Sequence, residues 1–297
     1  MKILISGSTG FVGSALVPFL EQSGHDVFHL VFNDRGLKNE VLWNPNLGLI
    51  EKNKIPEDIN AVINLAGENI AEGTWTQEKK QGILNSRINS TKLIVDTLKD
   101  MDVHPDVWIN ASASGMYGNT GDHLNTEEDS EGDAFLSEVC KKWEAEALKV
   151  RDIFKRVIIL RFGVILDRKG GALKKMLPVF EFGLGGVLGS GNQYLPWVAL
   201  DDVVEIINFA LRTDISGVFN TTSPDIVTNR QFTEALSKAL KKPAILTVPE
   251  LALKIIFGQM AVETLLMSTK VSSEKLLKAG YKFKYPDINE FFKDKFN

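Results

Sequence analysis

The first 32 residues alternate between apolar runs of strand length and apolar positions at helical spacing. A run from Ile3 to Ile5 is followed by a glycine-rich turn and then by apolar residues that would share one helix face. These residues are Val12, Leu16, Phe19 and Leu20. Gly24 is typical of a helix end, and the apolar residues 27–32 predict a second strand. The segment therefore predicts a βαβ unit, the building block of parallel sheets.

Further apolar runs continue this alternation and have the length of buried strands. They comprise residues 61–65, 107–111, 157–166 and 217–221. Helical patterns separate the earlier runs. The sequence therefore predicts an α/β fold with a Rossmann-like, doubly wound parallel sheet.

The pattern changes after about Gly170. Residues 183–193 are rich in glycine, and the region from Thr228 onward has the pattern of amphipathic helices with few strands. We therefore expect a smaller, mostly helical C-terminal lobe. The predicted boundaries are residues 1–170 and 196–224 for a dinucleotide-binding lobe, and residues 171–195 and 225–297 for a substrate lobe.

Composition and charge narrow the classes of partner. The chain has 297 residues, of which 44% are hydrophobic and 24% charged, as in an ordinary globular protein. Its formal net charge of −4 provides no general attraction for nucleic acid or an anionic membrane, so we expect neither as a partner. Cys140 is the only cysteine, and the chain begins with the run at Ile3 rather than with a charged leader. Both features favour a cytoplasmic location.

The first chemical motif is a glycine triplet. Gly7, Gly10 and Gly13 stand between the first predicted strand and the first predicted helix, in GxxGxxG spacing. Glycine permits a tight turn and a close approach of the backbone to a pyrophosphate, and a helix N-terminus presents unpaired N–H groups to the anion. No Gly-Lys-Ser/Thr sequence follows, which excludes a Walker-type phosphate loop. The motif predicts dinucleotide binding rather than a purely structural turn.

Two more segments follow predicted strands at the sheet edge where open α/β sheets bind ligands. The small residues in 64–67 would let an adenosine or ribose approach the backbone, although a simple strand-to-loop turn also explains them. In residues 112–118, the hydroxyls either face a reacting carbonyl or cap the loop. Ser112 and Tyr117 are the candidate catalytic residues.

Together these motifs resemble the extended short-chain dehydrogenase/reductases, also called NAD-dependent epimerase/dehydratases. The resemblance is closer to an atypical subgroup whose members are called epimerase family proteins. The shared segments occur in the subgroup's order and extend over essentially the whole chain. They are residues 64–68, 75–76, 86–87, 143–144, 170–172, 183–186, 189–191, Trp197, Asp202 and 285–286.

This resemblance implies a Rossmann-like lobe that binds NADP(H), with NAD(H) less favoured, and a C-terminal lobe without a settled function. The residues carried over are Gly7, Thr9, Gly10, Phe11, Val12 and Gly13 at the pyrophosphate, Leu65, Ala66 and Gly67 on the adenosine side, and Arg87 at a cofactor phosphate. Arg87 has an alternative interpretation as a solvated helix residue. The candidates for binding an unidentified small-molecule substrate are Gly189, Ser190, Gln193 and Trp197.

The chain departs from the wider family at the catalytic pair. Short-chain dehydrogenases use Tyr-x-x-x-Lys, in which the lysine lowers the pKa of a tyrosine that acts as general acid and base. No tyrosine of this chain has a lysine four residues later. If Glu144 corresponds to the glutamate that follows the lysine by four, Leu136 occupies the tyrosine position and Cys140 the lysine position. Proton transfer would then depend on Ser112, on Tyr117 or on a water held by the substrate.

A second departure concerns the choice of cofactor. The subgroup commonly has an arginine at the end of the second strand, where this chain has Phe32, followed by Asn33, Asp34 and Arg35. Arg35 could pair with the 2′-phosphate of NADP(H). Asp34 could instead accept a hydrogen bond from a free ribose 2′-hydroxyl and favour NAD(H). We expect NADP(H), with Phe32, Asn33 and Arg35 at the ribose end.

Three functions remain compatible with the sequence. The first is an NADP(H)-dependent oxidoreductase or epimerase with rewired proton transfer, and the second is a catalytically silent NADP(H)-binding sensor or regulator. The third is an interaction protein that uses the C-terminal helices. A metal site is not expected, because His25 and His29 would lie about 13 Å apart on one strand, too far to share an ion.

Overall fold

The structure, a computed structural model, describes residues 1–36 and 38–296. Its strands are β1 (Lys2–Ser6), β2 (Asp26–Val31), β3 (Glu40–Asn44), β4 (Leu49–Ile50), β5 (Ala61–Asn64), β6 (Val107–Ala113), β7 (Leu124–Asn125), β8 (Arg156–Phe162), β9 (Val164–Asp167), β10 (Gly186–Leu188), β11 (Tyr194–Leu195), β12 (Trp197–Ala199), β13 (Gly217–Thr221), β14 (Val227–Thr228), β15 (Leu246–Val248) and β16 (Lys270–Val271). Its α-helices are α1 (Gly13–Gln22), α2 (Gln77–Asp100), α3 (Phe135–Leu148), α4 (Gly171–Glu181), α5 (Leu200–Arg212), α6 (Asn229–Leu240), α7 (Glu250–Phe257), α8 (Glu274–Lys278) and α9 (Ile288–Phe296). Within these described ranges, no helix combines the length and apolarity needed to cross a membrane.

Eight of the described strands form the main sheet, in the order β13-β8-β6-β5-β1-β2-β3-β4. β1 is parallel to β2 and β5, and the pairs β2-β3 and β5-β6 are also parallel, whereas β4 is antiparallel to β3. The chain passes from β1 to β2 and β3 on one side and resumes at β5 on the other, so the strand order reverses between β1 and β5. Ligands of open α/β sheets bind beyond the carboxyl ends of the strands at such a switch point. The predicted Rossmann-like fold is confirmed.

Burial explains why the central strands are continuous apolar runs. Ile3, Leu4 and Ile5 of β1 have no exposed surface, as expected for a parallel strand covered on both faces. Leu4 belongs to a core cluster that also includes residues of β5, α2 and β6. These are Val62, Ile94, Val95, Leu98 and Trp108. Trp108 packs edge-to-face against Phe154 with ring centroids 5.2 Å apart, a favourable geometry for aromatic pairs.

The single strand predicted over residues 157–166 is wrong in one respect, since the structure has β8 and β9 separated at Gly163. A Cβ atom at Gly163 would lie 2.8 Å from the carbonyl oxygen of Pro196. After this glycine, β9 pairs with β12 instead of continuing in the main sheet. Apolar periodicity alone does not show a change of pairing partner. The sequence prediction also lacked β3 and β4, which are short and follow polar loops.

The chain forms two compact units. Unit 1 comprises Met1–Ser112, Val139–Leu160 and Val204–Val218, and unit 2 comprises Ala113–Glu138, Arg161–Val203 and Phe219–Asn297. The predicted first lobe included residues 113–138, 161–170, 196–203 and 219–224, all of which lie in unit 2. The core of unit 2 is aromatic: Trp197 lies 5.6 Å from Phe291, and Phe232 lies 5.3 Å from Phe292, between ring centroids.

Candidate functional site

The glycine turn lies in unit 1 between β1 and α1, where the sequence predicts the pyrophosphate. Gly7 has a φ of +70°, and a Cβ there would lie 2.9 Å from the backbone carbonyl of Leu65. Gly13 opens α1, and a Cβ there would lie 2.2 Å from the carbonyl oxygen of Gly7. Both glycines are therefore required by the fold itself, one for a left-handed backbone and the other for close packing of the turn.

Gly10 differs from the other two glycines. Its φ lies outside the left-handed region, and the nearest neighbour of a Cβ at this position would be the Gly7 carbonyl oxygen, at 3.2 Å. Thr9 and Gly10 are exposed. A Cβ at Gly10 would thus require the Gly7 carbonyl to shift by a few tenths of an ångström, a much smaller conflict than at Gly13, and a ligand that approaches the backbone gives a further reason for a glycine here.

The surroundings of this turn suit a phosphate group. The first turn of α1 contains no acidic residue, so the helix itself places no carboxylate beside an anion at its N-terminus. The Ser8 hydroxyl is buried and has no hydrogen-bond partner among the described residues. An unsatisfied buried hydroxyl is costly, and an oxygen-rich ligand would satisfy it. The residues present therefore fit the pyrophosphate of a dinucleotide.

A buried polar network supports the adjacent loop, residues 65–67. Ser6 Oγ donates to Asn64 Oδ1 at 2.6 Å and accepts from the backbone N–H groups of Leu65 and Ala66 at 3.2 and 3.1 Å. Asn64 Nδ2 donates to Thr91 Oγ1 and to Asn110 Oδ1, both at 2.8 Å. The network ties β1, β5, β6 and α2 together. It sets the backbone of Leu65 and Ala66, the residues predicted to meet the adenosine.

Replacing Asn64 by alanine is expected to lower the free energy of unfolding by about 2 to 4 kcal/mol, because buried partners of its amide lose their hydrogen bonds. Asn46→Ala is the control, since Asn46 is an exposed residue of the same unit. Its effect should stay within about 0.5 kcal/mol. Urea denaturation followed by circular dichroism measures both values. A loss below about 1 kcal/mol for Asn64→Ala would contradict the importance of the network.

Arg87 holds the same loop from α2. Its Nη1 donates to the carbonyl oxygens of Ile83 at 2.9 Å and Glu68 at 3.2 Å, and its Cζ lies 5.1 Å from the centroid of the Trp143 ring. Burial lowers the pKa of the Arg87 guanidinium from its ordinary value. A Cβ at Gly67 would lie 3.0 Å from Arg87 Cζ. The solvated alternative for Arg87 is therefore wrong, and its contact with a cofactor phosphate stays a prediction.

Ser112 has a partner that the sequence analysis did not assign to it. Ser112 is buried near the end of β6, and its Oγ donates to Glu144 Oε1 of α3 at 2.6 Å. Leu136, Cys140 and Glu144 are all buried and follow one another at four-residue spacing, so they share one face of α3. That spacing and the shared segment 143–144 were the signals in the sequence for Glu144. Glu144 is thus the carboxylate next to the candidate serine.

Tyr117 lies in unit 2, in a 3-10 turn over Ser114–Tyr117. Its hydroxyl donates to Asn220 Oδ1 at 2.6 Å and accepts from Arg161 Nη1 at 2.9 Å. Burial raises the pKa of Tyr117 above its ordinary value, although Arg161 acts in the opposite direction. Tyr117 therefore keeps its proton at neutral pH and directs it towards an internal acceptor. Its role as a catalytic acid stays a prediction.

The candidate substrate residues all lie in unit 2. Gly189 has a φ of +56°, and Ser190 is exposed. Gln193 is buried, and its Nε2 donates to the carbonyl oxygens of Leu188 and Leu265. Trp197 is also buried, and its Nε1 donates to the carbonyl oxygen of Asp225 at 3.0 Å. The polar atoms of Gln193 and Trp197 thus stabilise unit 2, and substrate contact by these four residues stays a prediction.

The loop after β2 carries the residues predicted at the ribose. Phe32 is 64% exposed, and its ring centroid lies 6.0 Å from that of Trp43. Asn33 is exposed. Asp34 Oδ1 accepts from the Gly36 N–H at 2.7 Å, and the Arg35 side chain forms an ion pair with Glu40. The exposed ring of Phe32 and the partly exposed guanidinium of Arg35 both lie at this edge of the sheet.

The strand order and the glycine turn define a protein with a Rossmann-like fold, the class of fold that binds dinucleotides. Comparison with known proteins specifies the family. Residues 3–140 match the NAD dependent epimerase/dehydratase family, and residues 248–294 match a domain of unknown function, DUF1731. The chain belongs to the NAD dependent epimerase/dehydratase family. The predicted resemblance is confirmed.

Relatives and solved structures agree with this assignment. The epimerase family protein Mb2239 of Mycobacterium bovis is 38% identical over 289 residues, which cover 97% of this chain and 95% of the relative. A crystal structure of the human epimerase family protein SDR39U1 (isoform 2) with NADPH superposes with a TM-score of 0.90 and 30% identity, covering 99% of each chain. A nucleoside-diphosphate sugar epimerase from Corynebacterium glutamicum is 29% identical with a TM-score of 0.80, over all of this chain and 58% of that one.

Proposed function

We propose that this protein is an NADP(H)-dependent oxidoreductase or epimerase that acts on a small molecule without a Tyr-x-x-x-Lys pair. The observation that carries the proposal is the exposed Gly10, whose lack of a side chain leaves the turn open to a pyrophosphate and is required less strictly by the fold than that of Gly7 or Gly13. The human relative SDR39U1 crystallised with NADPH supports this choice of cofactor. The single, buried Cys140 supports a reducing location such as the cytoplasm.

Three segments of unit 1 would hold the cofactor. The turn from Gly7 to Gly13 would bind the pyrophosphate, the loop 65–67 would contact the adenosine, and the loop after β2 would contact the ribose. Bound NADP(H) supplies or accepts a hydride. The protein must then supply a proton acceptor or donor for the substrate oxygen.

Ser112 and Glu144 are the groups that would move this proton. When an alcohol is oxidised, Ser112 Oγ receives the hydroxyl proton while its own proton passes to Glu144 Oε1, along the existing 2.6 Å hydrogen bond. When a carbonyl is reduced, Glu144 returns the proton to Ser112, which protonates the carbonyl oxygen. The relay leaves Ser112 unchanged and needs no ionised tyrosine. It would also allow the chemistry to proceed if Leu136 and Cys140 occupy the usual tyrosine and lysine positions.

Two measurements test the proposal. Fluorescence titration should show saturable NADPH binding to the wild-type protein. NADPH with deuterium at C4 should then transfer the label to at least one member of a panel of small aldehydes and ketones, detected by mass spectrometry. Absence of NADPH binding would contradict the proposed function altogether.

A catalytically silent NADP(H)-binding sensor is the alternative. The observation in its favour is that the hydroxyl protons of Ser112 and Tyr117 are both directed to internal acceptors, Glu144 and Asn220. Tight NADPH binding without deuterium transfer to any panel member would favour this alternative over the enzyme.

A further inference from the structure

The loop after β2 reaches the same edge of the sheet as the glycine turn. Ser6, the last residue of β1, is paired with Leu30 of β2, so the two parallel strands end at nearly the same level. The chain then turns back, and Glu40 opens β3 beside His29. In Rossmann-like folds the residues after this second strand meet the adenosine ribose, where NADP(H) carries its 2′-phosphate and NAD(H) a hydroxyl. Arg35 lies in this loop.

Glu40 holds Arg35 at two points. The backbone N–H of Arg35 donates to Glu40 Oε2 at 2.8 Å, and Arg35 Nε donates to Glu40 Oε1 at 2.9 Å. The Glu40 side chain is only 4% exposed, whereas that of Arg35 is 43% exposed. A carboxylate buried to this degree needs a charged partner, so the contact ties both the loop backbone and the guanidinium to β3.

The contact leaves the outer edge of the guanidinium available. Arg35 presents five N–H donors, and Glu40 takes only the one on Nε. Nη1 and Nη2 donate to no residue within 1–36 or 38–296. These two nitrogens form the edge that binds a phosphate through two parallel hydrogen bonds.

Neighbouring groups do not duplicate this role. Asp34 Oδ1 closes the turn by accepting from the Gly36 N–H, which commits one of its oxygens to the loop. The pKa of His29 is lowered, chiefly by burial and partly by Arg35, although Glu21 and Glu40 act in the opposite direction. Lys38 forms an ion pair with Asp26, with 3.7 Å between Nζ and Oδ1. Arg35 is thus the oriented cation of the loop.

We propose that Glu40 is a positioning residue for cofactor preference: it orients Arg35 so that Nη1 and Nη2 receive the 2′-phosphate of NADP(H). The inference rests on the proposed binding of NADP(H). Glu40 acts only through Arg35, and it would discriminate between the phosphorylated and unphosphorylated forms of the same nucleotide. Arg35 thereby replaces the arginine that the subgroup has at the position of Phe32.

Calorimetric titration of four probes separates this effect from general damage. NADPH and 2′,5′-ADP carry the 2′-phosphate, and NADH and 5′-AMP are their matched controls. Arg35→Ala should weaken binding of the first two by about 10- to 100-fold, and of the controls by less than about 2-fold. Glu40→Ala should weaken NADPH and 2′,5′-ADP by about 3- to 30-fold, also without effect on the controls.

Two further variants make the test specific to the pair. The double variant Arg35→Ala/Glu40→Ala should show the same ratio of NADPH to NADH affinity as Arg35→Ala alone, because the guanidinium that receives the 2′-phosphate is absent from both, and loss of the backbone contact of residue 35 would affect the two nucleotides equally. Glu40→Gln should retain part of the affinity, since its amide oxygen still accepts one of the two hydrogen bonds. If Glu40→Ala fails to fold, Glu40→Gln replaces it in the test, because glutamine has the same shape as glutamate.

The outcomes are distinguishable. Three results would each overturn the inference. They are equal losses for phosphorylated and unphosphorylated probes in the Glu40 variants, an additive loss of the preference for NADPH over NADH in the double variant, and tighter NADPH binding without Glu40. Failure of the wild-type protein to bind any of the four probes would instead contradict the proposed function.

Discussion

Gly10→Val is expected to weaken NADPH binding by about 100-fold or more, because two or more hydrogen bonds from the turn to the pyrophosphate are lost together. The free energy of unfolding should fall by only about 1 kcal/mol, since φ at Gly10 lies outside the left-handed region and the Gly7 carbonyl oxygen, 3.2 Å from the new Cβ, needs to shift by only a few tenths of an ångström. Fluorescence titration measures the first quantity and urea denaturation the second. If the NADPH affinity of Gly10→Val stays within about 3-fold of wild type, the assignment of the pyrophosphate to this turn is wrong.

Gly13→Ala is the matched control in the same motif. Its Cβ would lie 2.2 Å from the Gly7 carbonyl oxygen and 2.7 Å from backbone atoms of Ser8, so the turn must shift. We expect this variant to lose about 2 to 3 kcal/mol of stability, the cost of overpacking. The two glycines thus separate a requirement of the ligand from a requirement of the fold. A Gly10→Val protein that is as unstable as Gly13→Ala would contradict this distinction.

Ser112→Ala and Glu144→Gln are each expected to slow deuterium transfer by about 10²- to 10⁴-fold, the usual contribution of general acid-base catalysis. Ser112→Ala removes the hydroxyl that would face the substrate oxygen, and Glu144→Gln removes the acceptor of its proton while keeping a hydrogen-bonding side chain of the same size. NADPH affinity should stay within about 3-fold of wild type in both, because neither residue is placed at the pyrophosphate or the ribose. Rates are followed on whichever panel substrate the wild-type protein accepts.

The double variant and Tyr117→Phe complete this experiment. Ser112→Ala/Glu144→Gln should be no slower than the slower single variant, because the two residues would act as one relay. Tyr117→Phe should transfer deuterium at nearly the wild-type rate, since the proposed relay moves the proton through Ser112 and Glu144 and not through the tyrosine, which donates to the neutral amide of Asn220. Fast transfer that survives the loss of both Ser112 and Glu144 would exclude the relay, and a large loss in Tyr117→Phe alone would make the tyrosine the proton donor instead.

The sequence by itself determined the local part of the nucleotide motif. Strand β1, the glycine turn and α1 are continuous in the chain, and their hydrophobic periodicity and glycine spacing are properties of neighbouring residues. The order of strands and helices along the chain then predicted the Rossmann-like sheet, because parallel strands joined by helices have few allowed topologies. The ordered motifs were sufficient to indicate the family.

Tertiary structure alone decided which polar groups meet. Ser112 and Glu144 lie 32 positions apart in the chain, and Asn64 and Asn110 lie 46 apart, so no local pattern predicts their hydrogen bonds. The break at Gly163 depends on the backbone of Pro196, which is equally remote in sequence.

The ion pair between Arg35 and Glu40 could not be predicted from the sequence either, although the two residues are close in the chain. The two residues are five positions apart, but they are neighbours only because the loop after β2 turns back to start β3, a strand that the sequence pattern did not predict. The spacing of apolar side chains along the sequence identifies the buried faces of helices and strands, since burial of apolar area depends on residue type. Hydrogen bonds and ion pairs depend on distance and direction to within a few tenths of an ångström, and only the packed chain sets those.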